Sequence, residues 1–230
     1  VRLMSLQIEF AEAVPKQVAS LLDDRSIHLW RIRYASAWRR EPLVALLAGY
    51  LGIPESAIAL DEDARGKPHL AESTRVRGDA ALLEFNWSHS GDHALIALSR
   101  RGAVGVDIER LGKNLRAFEI ARRFFDAGEA DVLAALDPDA RDRAFIGLWC
   151  AKEAVLKAVG EGLSFGLARL AFAHLADADW KLATADSALG EVGDWQLSGF
   201  DPAPGYRGCV AWRGGNRRIS AFQPLAGRLG

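Results

Sequence analysis

The stretch Val104-Gly-Val-Asp-Ile-Glu109 has the alternating pattern of a β-strand. Valine or isoleucine occupies every second position, so Asp107 and Glu109 point to the opposite face and share it. Two carboxylates on one face repel each other unless a positive charge lies between them, and Mg2+ is a common solution. The stretch therefore predicts a strand that carries either a divalent-metal site or a solvated acidic face.

A second informative stretch is Trp149-Cys-Ala-Lys-Glu-Ala-Val-Leu-Lys157, within a helix predicted over residues 139–159. Lys152 falls in the middle of the apolar stripe of this helix, and a lysine there must pair its charge, shift its pKa or extend to water. Glu153 and Lys157 lie on the edge of the stripe. The pattern predicts either an anion site, for which phosphate is suitable, or an ordinary i,i+4 surface pair beside Lys152.

Composition limits the class of protein. The chain has 230 residues, of which 50% are hydrophobic, enough for one large domain or two small ones. The longest apolar stretch, residues 42–53, is too short to cross a bilayer, so we expect no membrane association. With two cysteines and no signal-peptide pattern at the start, we expect a cytoplasmic protein.

Paired arginines raise the alternative of a nucleic-acid-binding protein. Acidic residues are interspersed with them and the formal net charge is −1, whereas nucleic-acid binders concentrate positive charge on one face. We therefore predict no nucleic-acid partner. The pairs or clusters are Arg31 with Arg33, Arg39 with Arg40, Arg100 with Arg101, Arg122 with Arg123 and Arg217 with Arg218.

The order of elements predicts an α+β fold. In the first half we expect a strand over residues 3–10, a helix after residue 36 and a strand over 94–99. In the second half we expect the strand 104–109 and then three helices, over 117–124, 127–136 and 139–159. Strands follow near 170–174, 195–200, 209–213 and 218–222. Helices followed by runs of strands exclude a simple alternating βαβ fold.

Five motifs occur in an order that resembles a known family. They are Gly66-Lys-Pro68, Phe85-Asn-Trp-Ser-His-Ser90, Gly105-Val-Asp-Ile-Glu109, Arg123-Phe-Phe125 and Trp149-x-x-Lys-Glu-Ala-x-x-Lys157. Over about residues 66–163 the chain resembles a 4'-phosphopantetheinyl transferase of the Sfp type. Five ordered motifs are far more specific than any one of them.

The resemblance implies a fold and a reaction. The fold would be two similar α/β subdomains, residues 1–103 and 104–230, packed as a pseudo-dimer with the active site between them. The enzyme, of the holo-[acyl-carrier-protein] synthase type, would transfer the 4'-phosphopantetheine arm of coenzyme A to a serine of an apo acyl, polyketide or peptidyl carrier protein. The second product would be 3',5'-ADP. A monomer is expected.

The resemblance also assigns the reacting groups. Asp107, Glu109 and Glu153 would bind Mg2+, with Mn2+ as an alternative, and either two or three of these carboxylates would be ligands. Glu153 would act as general base on the carrier serine. Lys157, with Lys152, would stabilise the leaving 3',5'-ADP.

Coenzyme A would be bound by residues earlier in the chain. His89, helped by Ser88, would contact a phosphate of coenzyme A, and Lys67 would lie beside the adenine. Arg40, with Arg25 and His28, would bind the 3'-phosphate.

Three interpretations stay open at the level of sequence. Glu129 is either a further active-site acid or, as we favour, a surface residue of a helix. The segment from Arg122 to Phe125 would contact the acidic helix of a carrier protein, unless the phenylalanines belong to the core. A non-catalytic binding module for coenzyme A or a carrier protein is the alternative to an enzyme, but it would not need Glu153, Lys157 and the metal carboxylates together.

Overall fold

The computed structural model describes residues 2–6, 8–75, 82–112, 116–174 and 180–225. The helices are α1 Pro15–Val18, α2 Glu41–Leu51, α3 Glu72–Arg75, α4 Ala117–Phe124, α5 Ala127–Ala135 and α6 Pro138–Val159. The strands are β1 Arg2–Leu6, β2 Ala11–Ala13, β3 Ser26–Arg33, β4 Leu60–Glu62, β5 Pro68–Leu70, β6 Leu83–Ser90, β7 His93–Arg100, β8 Val104–Arg110, β9 Leu170–His174, β10 Trp180–Ala185, β11 Trp195–Phe200, β12 Tyr206–Arg213 and β13 Arg218–Pro224.

The chain divides into two compact units. The C-terminal unit contains Gly105–Gly215 together with Val1–Ile8, and the N-terminal unit contains Glu9–Val104 together with Asn216–Gly230. The boundary in the middle of the chain lies between Val104 and Gly105, one residue from the division between 103 and 104 that we predicted. At the two chain ends the units differ from the predicted halves, because each unit takes in a segment from the opposite end of the sequence.

The C-terminal unit is built on a six-stranded sheet in the order β8-β12-β11-β1-β10-β9. Strand β1 runs parallel to β11 and antiparallel to β10. Its core surrounds α6, whose Phe145, Leu148 and Val155 are buried. Helix α6 begins after Asp137, whose side chain accepts a hydrogen bond from the backbone N–H of Ala140, and it ends at Gly160 in the left-handed conformation.

Gly105 allows α6 to lie directly on β8. A Cβ atom at this position would stand 1.9 Å from the carbonyl oxygen of Ala154 and 2.5 Å from the backbone nitrogen of Ala158. No side chain fits at such distances, since the neighbouring atoms belong to the helix backbone. The glycine of the strand motif therefore sets the spacing between the strand that carries Asp107 and the helix that carries Lys157.

The N-terminal unit is built on a five-stranded sheet in the order β2-β13-β3-β7-β6. Strand β3 is central, parallel to β13 and antiparallel to β7. Its Trp30 and Ile32 pack in a buried core with Leu43 and Leu47 of α2. A separate two-stranded sheet of β4 and β5 pairs Glu62 with Pro68.

The mixed helix and sheet composition that we predicted is confirmed, while the pseudo-dimer stays a prediction. Helix α6 begins within one residue of the expected start and ends at the expected residue. Strands β3 and β6 were missed. Polar residues interrupt the apolar pattern of β3, and we had interpreted Phe85-Asn-Trp-Ser-His-Ser90 as a loop, whereas it forms most of β6. Among the described helices, none has the length and apolar character needed to span a membrane.

Candidate active site

Asp107 and Lys157 form the centre of the candidate site. Asp107 lies on β8 with a side chain only 3% exposed, and Lys157 lies near the end of α6 with a side chain 26% exposed. The Lys157 Nζ donates a hydrogen bond to Asp107 Oδ1 at 2.6 Å. Burial lowers the pKa of Lys157, but the charges of Asp107 and Glu153 outweigh burial and leave this pKa raised. The lysine is therefore a persistent cation among carboxylates.

Glu153 lies one helical turn before Lys157, and the surroundings of one of its carboxylate oxygens are unusual for a buried polar atom. Its Oε1 atom is buried and has no hydrogen-bond partner among the described residues. Burial, together with the charges of Asp107 and Glu109 and opposed by Lys157, raises the pKa of Glu153 to about 7. A buried carboxylate oxygen without a partner is costly, so this position favours a ligand that can supply a positive charge.

The chemistry of these residues fits Mg2+. Carboxylate oxygens are the ligands this ion prefers, and it commonly takes one or two of them and keeps water and phosphate oxygens for its other positions. The charges of Asp107 and Glu109 raise the pKa of Glu153, so all three carboxylates belong to one neighbourhood. In the part of the chain that the structure describes, no three His, Cys, Asp or Glu side chains are gathered closely enough to hold a metal by themselves. The carboxylate oxygens present are of the type that Mg2+ prefers, and water or phosphate oxygens would fill its other positions.

Lys152 corrects one of our expectations. We expected it to act with Lys157 on the leaving group, but its side chain is fully buried and forms an ion pair with Glu129 at 2.8 Å. Its Nζ also donates hydrogen bonds to the carbonyl oxygens of Leu167, at 2.9 Å, and Leu170. An ammonium group has three donors, and all three are used here. Lys152 therefore holds the fold of the C-terminal unit together rather than reaching a substrate.

Glu129 is the partner that the sequence did not identify. We favoured a surface position, yet the residue is 1% exposed. One carboxylate oxygen accepts a hydrogen bond from the backbone N–H of Phe172 at 2.7 Å, and the other accepts one from the N–H of Asp126 at 3.0 Å. Burial raises the pKa of Glu129, and the ion pair with Lys152 opposes that rise. A carboxylate enclosed in this way is also unsuited to the alternative role, that of a further active-site acid.

The structure separates the side chains of Ser88 and His89. Both lie on β6, where neighbouring residues point to opposite faces of the sheet. His89 is exposed and its ring packs against Tyr34, with ring centroids 4.5 Å apart, and against Trp87, at 5.3 Å. Ser88 is buried on the other face. The help from Ser88 that we expected for His89 therefore stays a prediction, since the two side chains lie on opposite faces of the sheet.

Arg40 and the Gly66-Lys-Pro68 motif are brought together through Glu62. Arg40 stands directly before α2 and forms an ion pair with Glu62 at 2.5 Å. Glu62 is the residue paired with Pro68 across the β4–β5 sheet. Burial lowers the pKa of Lys67, and the charges of Glu84 and Asp63 oppose this effect. Two of the expected coenzyme A contacts thus share one corner of the N-terminal unit.

Arg25 and His28 lie elsewhere. Arg25 precedes the first residue of β3, whereas Arg40 follows the end of that strand, which spans roughly 25 Å. His28 is 1% exposed, and its Nδ1 lies 2.6 Å from the hydroxyl of Tyr50, which also accepts a hydrogen bond from Trp30 Nε1. Burial lowers the pKa of His28 to about 4, so the ring is neutral at pH 7. We therefore withdraw His28 as a phosphate ligand, because it belongs to the core.

Two residues that shape these sites, Glu62 and Tyr34, could not be recognised from the sequence. Glu62 gave no signal, since its partner Arg40 is 22 positions away. Tyr34, buried against His89 and Trp87, also lacks a motif. A polar residue beside a known motif can be found from sequence only when the local pairing, here between β4 and β5, is predicted correctly.

Part of the chain is similar to a known family of proteins. A family model described as the 4'-phosphopantetheinyl transferase superfamily matches residues 103–208. This segment of the chain is therefore similar to the 4'-phosphopantetheinyl transferase superfamily. It contains β8 and α6, and so carries Asp107, Glu153 and Lys157. The family resemblance that the sequence motifs indicated is therefore confirmed.

Three curated transferases illustrate the similarity. The 4'-phosphopantetheinyl transferase HetI of Nostoc sp. is 35% identical over 122 residues, which cover 53% of this chain and 50% of HetI. The human L-aminoadipate-semialdehyde dehydrogenase-phosphopantetheinyl transferase is 35% identical over 133 residues, covering 55% and 42%. The 4'-phosphopantetheinyl transferase psf-1 of Bacillus pumilus is 32% identical over 142 residues, covering 60% and 57%. The chain thus matches about half the length of these curated relatives.

Proposed function

We propose that this protein transfers the 4'-phosphopantetheine arm of coenzyme A to the hydroxyl of a serine on an apo carrier protein. The serine oxygen forms a bond to the β-phosphorus of coenzyme A, and the bond from that phosphorus to the bridging oxygen of the leaving 3',5'-ADP breaks. The serine proton passes to a base. Holo carrier protein and 3',5'-ADP are the products.

The observation that carries this proposal is the placement of Glu153. Its buried Oε1 atom lacks a partner among the described residues, in a segment that matches the transferase family and beside the Asp107–Lys157 pair. A carboxylate whose pKa stands near 7 is suited to accept a proton at neutral pH. We therefore assign Glu153 as the general base.

The remaining charges support the leaving group. Asp107 and Glu109, with Glu153, would hold Mg2+, or Mn2+ in its place, which when bound would neutralise the pyrophosphate oxygens and the charge that develops on the leaving phosphate. Lys157 is positioned beside the same carboxylates and would stabilise the leaving 3',5'-ADP.

For the nucleotide part of coenzyme A, we propose Arg40, Lys67 and His89 as contacts. Arg40 and Lys67 lie near the same turn, and His89 is exposed, as a phosphate contact requires. Ser88 remains a weaker proposal, since it faces the other side of β6, and Arg25 is the weakest, because it stands at the far end of β3. A site to which both units contribute stays a prediction of the resemblance.

The C-terminal part of α4 is our proposal for the contact with the carrier protein. Phe124 is 47% exposed, and the guanidinium of Arg123 lies 5.2 Å from the centroid of its ring. Phe125, in contrast, is buried and stacks on Phe145. An exposed aromatic ring beside Arg122 and Arg123 suits a partner with an acidic helix.

The proposal is tested by intact-mass measurement of apo acyl and peptidyl carrier proteins after incubation with this protein, coenzyme A and Mg2+. The expected result is a gain of one phosphopantetheine arm, lost in EDTA and in the Glu153→Gln variant. No gain on carriers of several classes, with the protein folded, would contradict the enzyme and favour a binding module. A gain on acyl carriers alone would assign a holo-[acyl-carrier-protein] synthase, and a gain on all classes would assign the Sfp type. We propose a monomer acting in the cytoplasm, without nucleic-acid partners.

A further inference from the structure

The carboxylate of Glu62 lies beside Arg40, where its negative charge opposes the binding of the anionic ligand that we propose for Arg40. The two side chains form an ion pair at 2.5 Å, and they are 52% and 33% exposed, respectively. Under the proposed function, on which this inference rests, Arg40 binds the 3'-phosphate of coenzyme A. A phosphate and a carboxylate cannot both take the same guanidinium donors, and they also repel each other.

The position of Glu62 is fixed by its surroundings rather than by the ion pair. Its backbone is paired with Pro68 in the β4–β5 sheet. The following turn is held by the side chain of Asp63, which accepts hydrogen bonds from the backbone N–H groups of Arg65 and Lys67, each at 2.9 Å. Gly66 completes the turn with a φ of 81°, which favours glycine. The carboxylate of Glu62 is thus carried on a closed turn beside Arg40.

We propose that Glu62 is a specificity-determining counter-ion, which holds Arg40 when the site is empty and is exchanged for the 3'-phosphate when the nucleotide binds. Phosphate offers more negative charge and more acceptor oxygens than a carboxylate, so it wins the exchange. The exchange nevertheless weakens binding, because the ion pair must be broken and the displaced carboxylate stays close to the phosphate. Glu62 therefore weakens the binding of every ligand that carries a 3'-phosphate.

This effect extends to the product. Coenzyme A and 3',5'-ADP carry the same 3'-phosphate, so Glu62 weakens the binding of both. The ion pair between Glu62 and Arg40 forms again when 3',5'-ADP leaves. A ligand without the 3'-phosphate, such as 5'-AMP or dephospho-coenzyme A, does not compete with Glu62 and is unaffected. The prediction thus concerns a ratio of affinities, which general changes in stability do not alter.

The test is isothermal titration of 3',5'-ADP and 5'-AMP into the full chain and its variants. We expect Glu62→Gln to bind 3',5'-ADP about two- to fivefold more tightly, the range of an exposed ion pair, and to bind 5'-AMP unchanged. In the Arg40→Gln background the gain should become smaller, because Glu62 then has no guanidinium to hold and only its repulsion of the phosphate remains. High salt should reduce the gain, since both groups are partly exposed.

Asp61→Asn is the matched control. Asp61 is an exposed acid on the same strand, and its side chain points to the opposite face from Glu62. An equal gain in Asp61→Asn, an equal change for both nucleotides in Glu62→Gln, or a gain of undiminished size without Arg40 would overturn the inference. Transfer to a carrier protein with an unchanged affinity ratio in Glu62→Gln would sink this inference alone. Absence of both transfer and nucleotide binding would remove the proposed function and the inference with it.

Discussion

Lys152 and Lys157 lie five residues apart on α6, yet they differ in burial and in the surroundings of their ammonium groups. Lys152 is fully buried with Glu129, and each of its three donors has an acceptor. Lys157 is partly exposed and pairs with Asp107, beside a Glu153 oxygen that lacks a hydrogen-bond partner among the described residues. We call Lys152 with Glu129 the closed cluster, and Lys157 with Asp107 and Glu153 the open cluster. Five residues turn the helix by about 500°, so the two side chains point away from each other.

The difference shows how to distinguish a structural charge from a functional one within a single motif. In the closed cluster the charges satisfy one another and leave nothing for a ligand. In the open cluster a carboxylate with a raised pKa has an unused oxygen, a state that is costly unless a ligand or a proton completes it. The family resemblance of the sequence assigned both lysines to the reaction.

The largest effect should come from the open cluster. Glu153→Gln should lower the transfer rate by about 100- to 10,000-fold, because the variant lacks the proposed base. The free energy of unfolding should stay the same or rise, since a buried charge is removed. The two measurements are mass-detected transfer and urea unfolding. Asp139→Asn, an exposed acid of the same helix, is the control and should change neither quantity.

A substitution in the closed cluster should instead lower the stability of the fold. Glu129→Ala should lower the free energy of unfolding by about 3–5 kcal/mol, because Lys152 would keep a buried charge without its partner. Urea unfolding monitored by tryptophan fluorescence gives this quantity. Glu119→Ala removes an exposed glutamate from α4, and we expect a change within about 0.5 kcal/mol. Similar losses in the two variants would mean that the Lys152–Glu129 pair is not a buried structural element.

A third prediction extends the comparison to an uncharged closed cluster, that of His28, Tyr50 and Trp30 in the N-terminal unit. The folded pKa of His28 is about 4 against 6.5 for the free side chain, so the unfolded chain binds a proton between these values and the folded protein does not. The contribution of His28 is complete above pH 6.5 and falls as pH decreases towards 4, by about 3 kcal/mol in total. His28→Gln, which cannot titrate, should show a flatter dependence of unfolding free energy on pH. Parallel curves for the two proteins would rule out a neutral buried ring.

The smallest effect should come from replacing the closed cluster as a whole. Glu129→Leu combined with Lys152→Met removes both charges and keeps apolar volume, so the unfolding free energy should return to within about 1.5 kcal/mol of the original. The transfer rate should change by less than about tenfold if Lys152 has no part in the reaction. A stable double variant that has lost transfer would return Lys152 to the list of catalytic residues.

Local patterns predicted what local physics determines. The alternation around Asp107 and Glu109 gave β8, and the apolar stripe with its flanking proline and glycine gave α6. Pairings between distant residues could not be predicted in this way. Glu129 is 23 positions from Lys152, and Glu62 is 22 positions from Arg40. His28 was assigned to the 3'-phosphate because it lies in the region where the resembled family places cations, but its environment is set by β3, a strand whose apolar pattern is interrupted.

The exchange of terminal segments between the two units has a consequence for synthesis of the chain. Strand β1 belongs between β11 and β10, so its place in the sheet does not exist until residue 200 has been synthesised. Strand β13, which follows the other described strands in the sequence, fills the place between β2 and β3. Contacts over such sequence separations form slowly and leave strand edges exposed meanwhile. Two fragments made by cutting between residues 104 and 105 would each carry a strand that the other fragment needs, so neither sheet could be completed from one fragment alone.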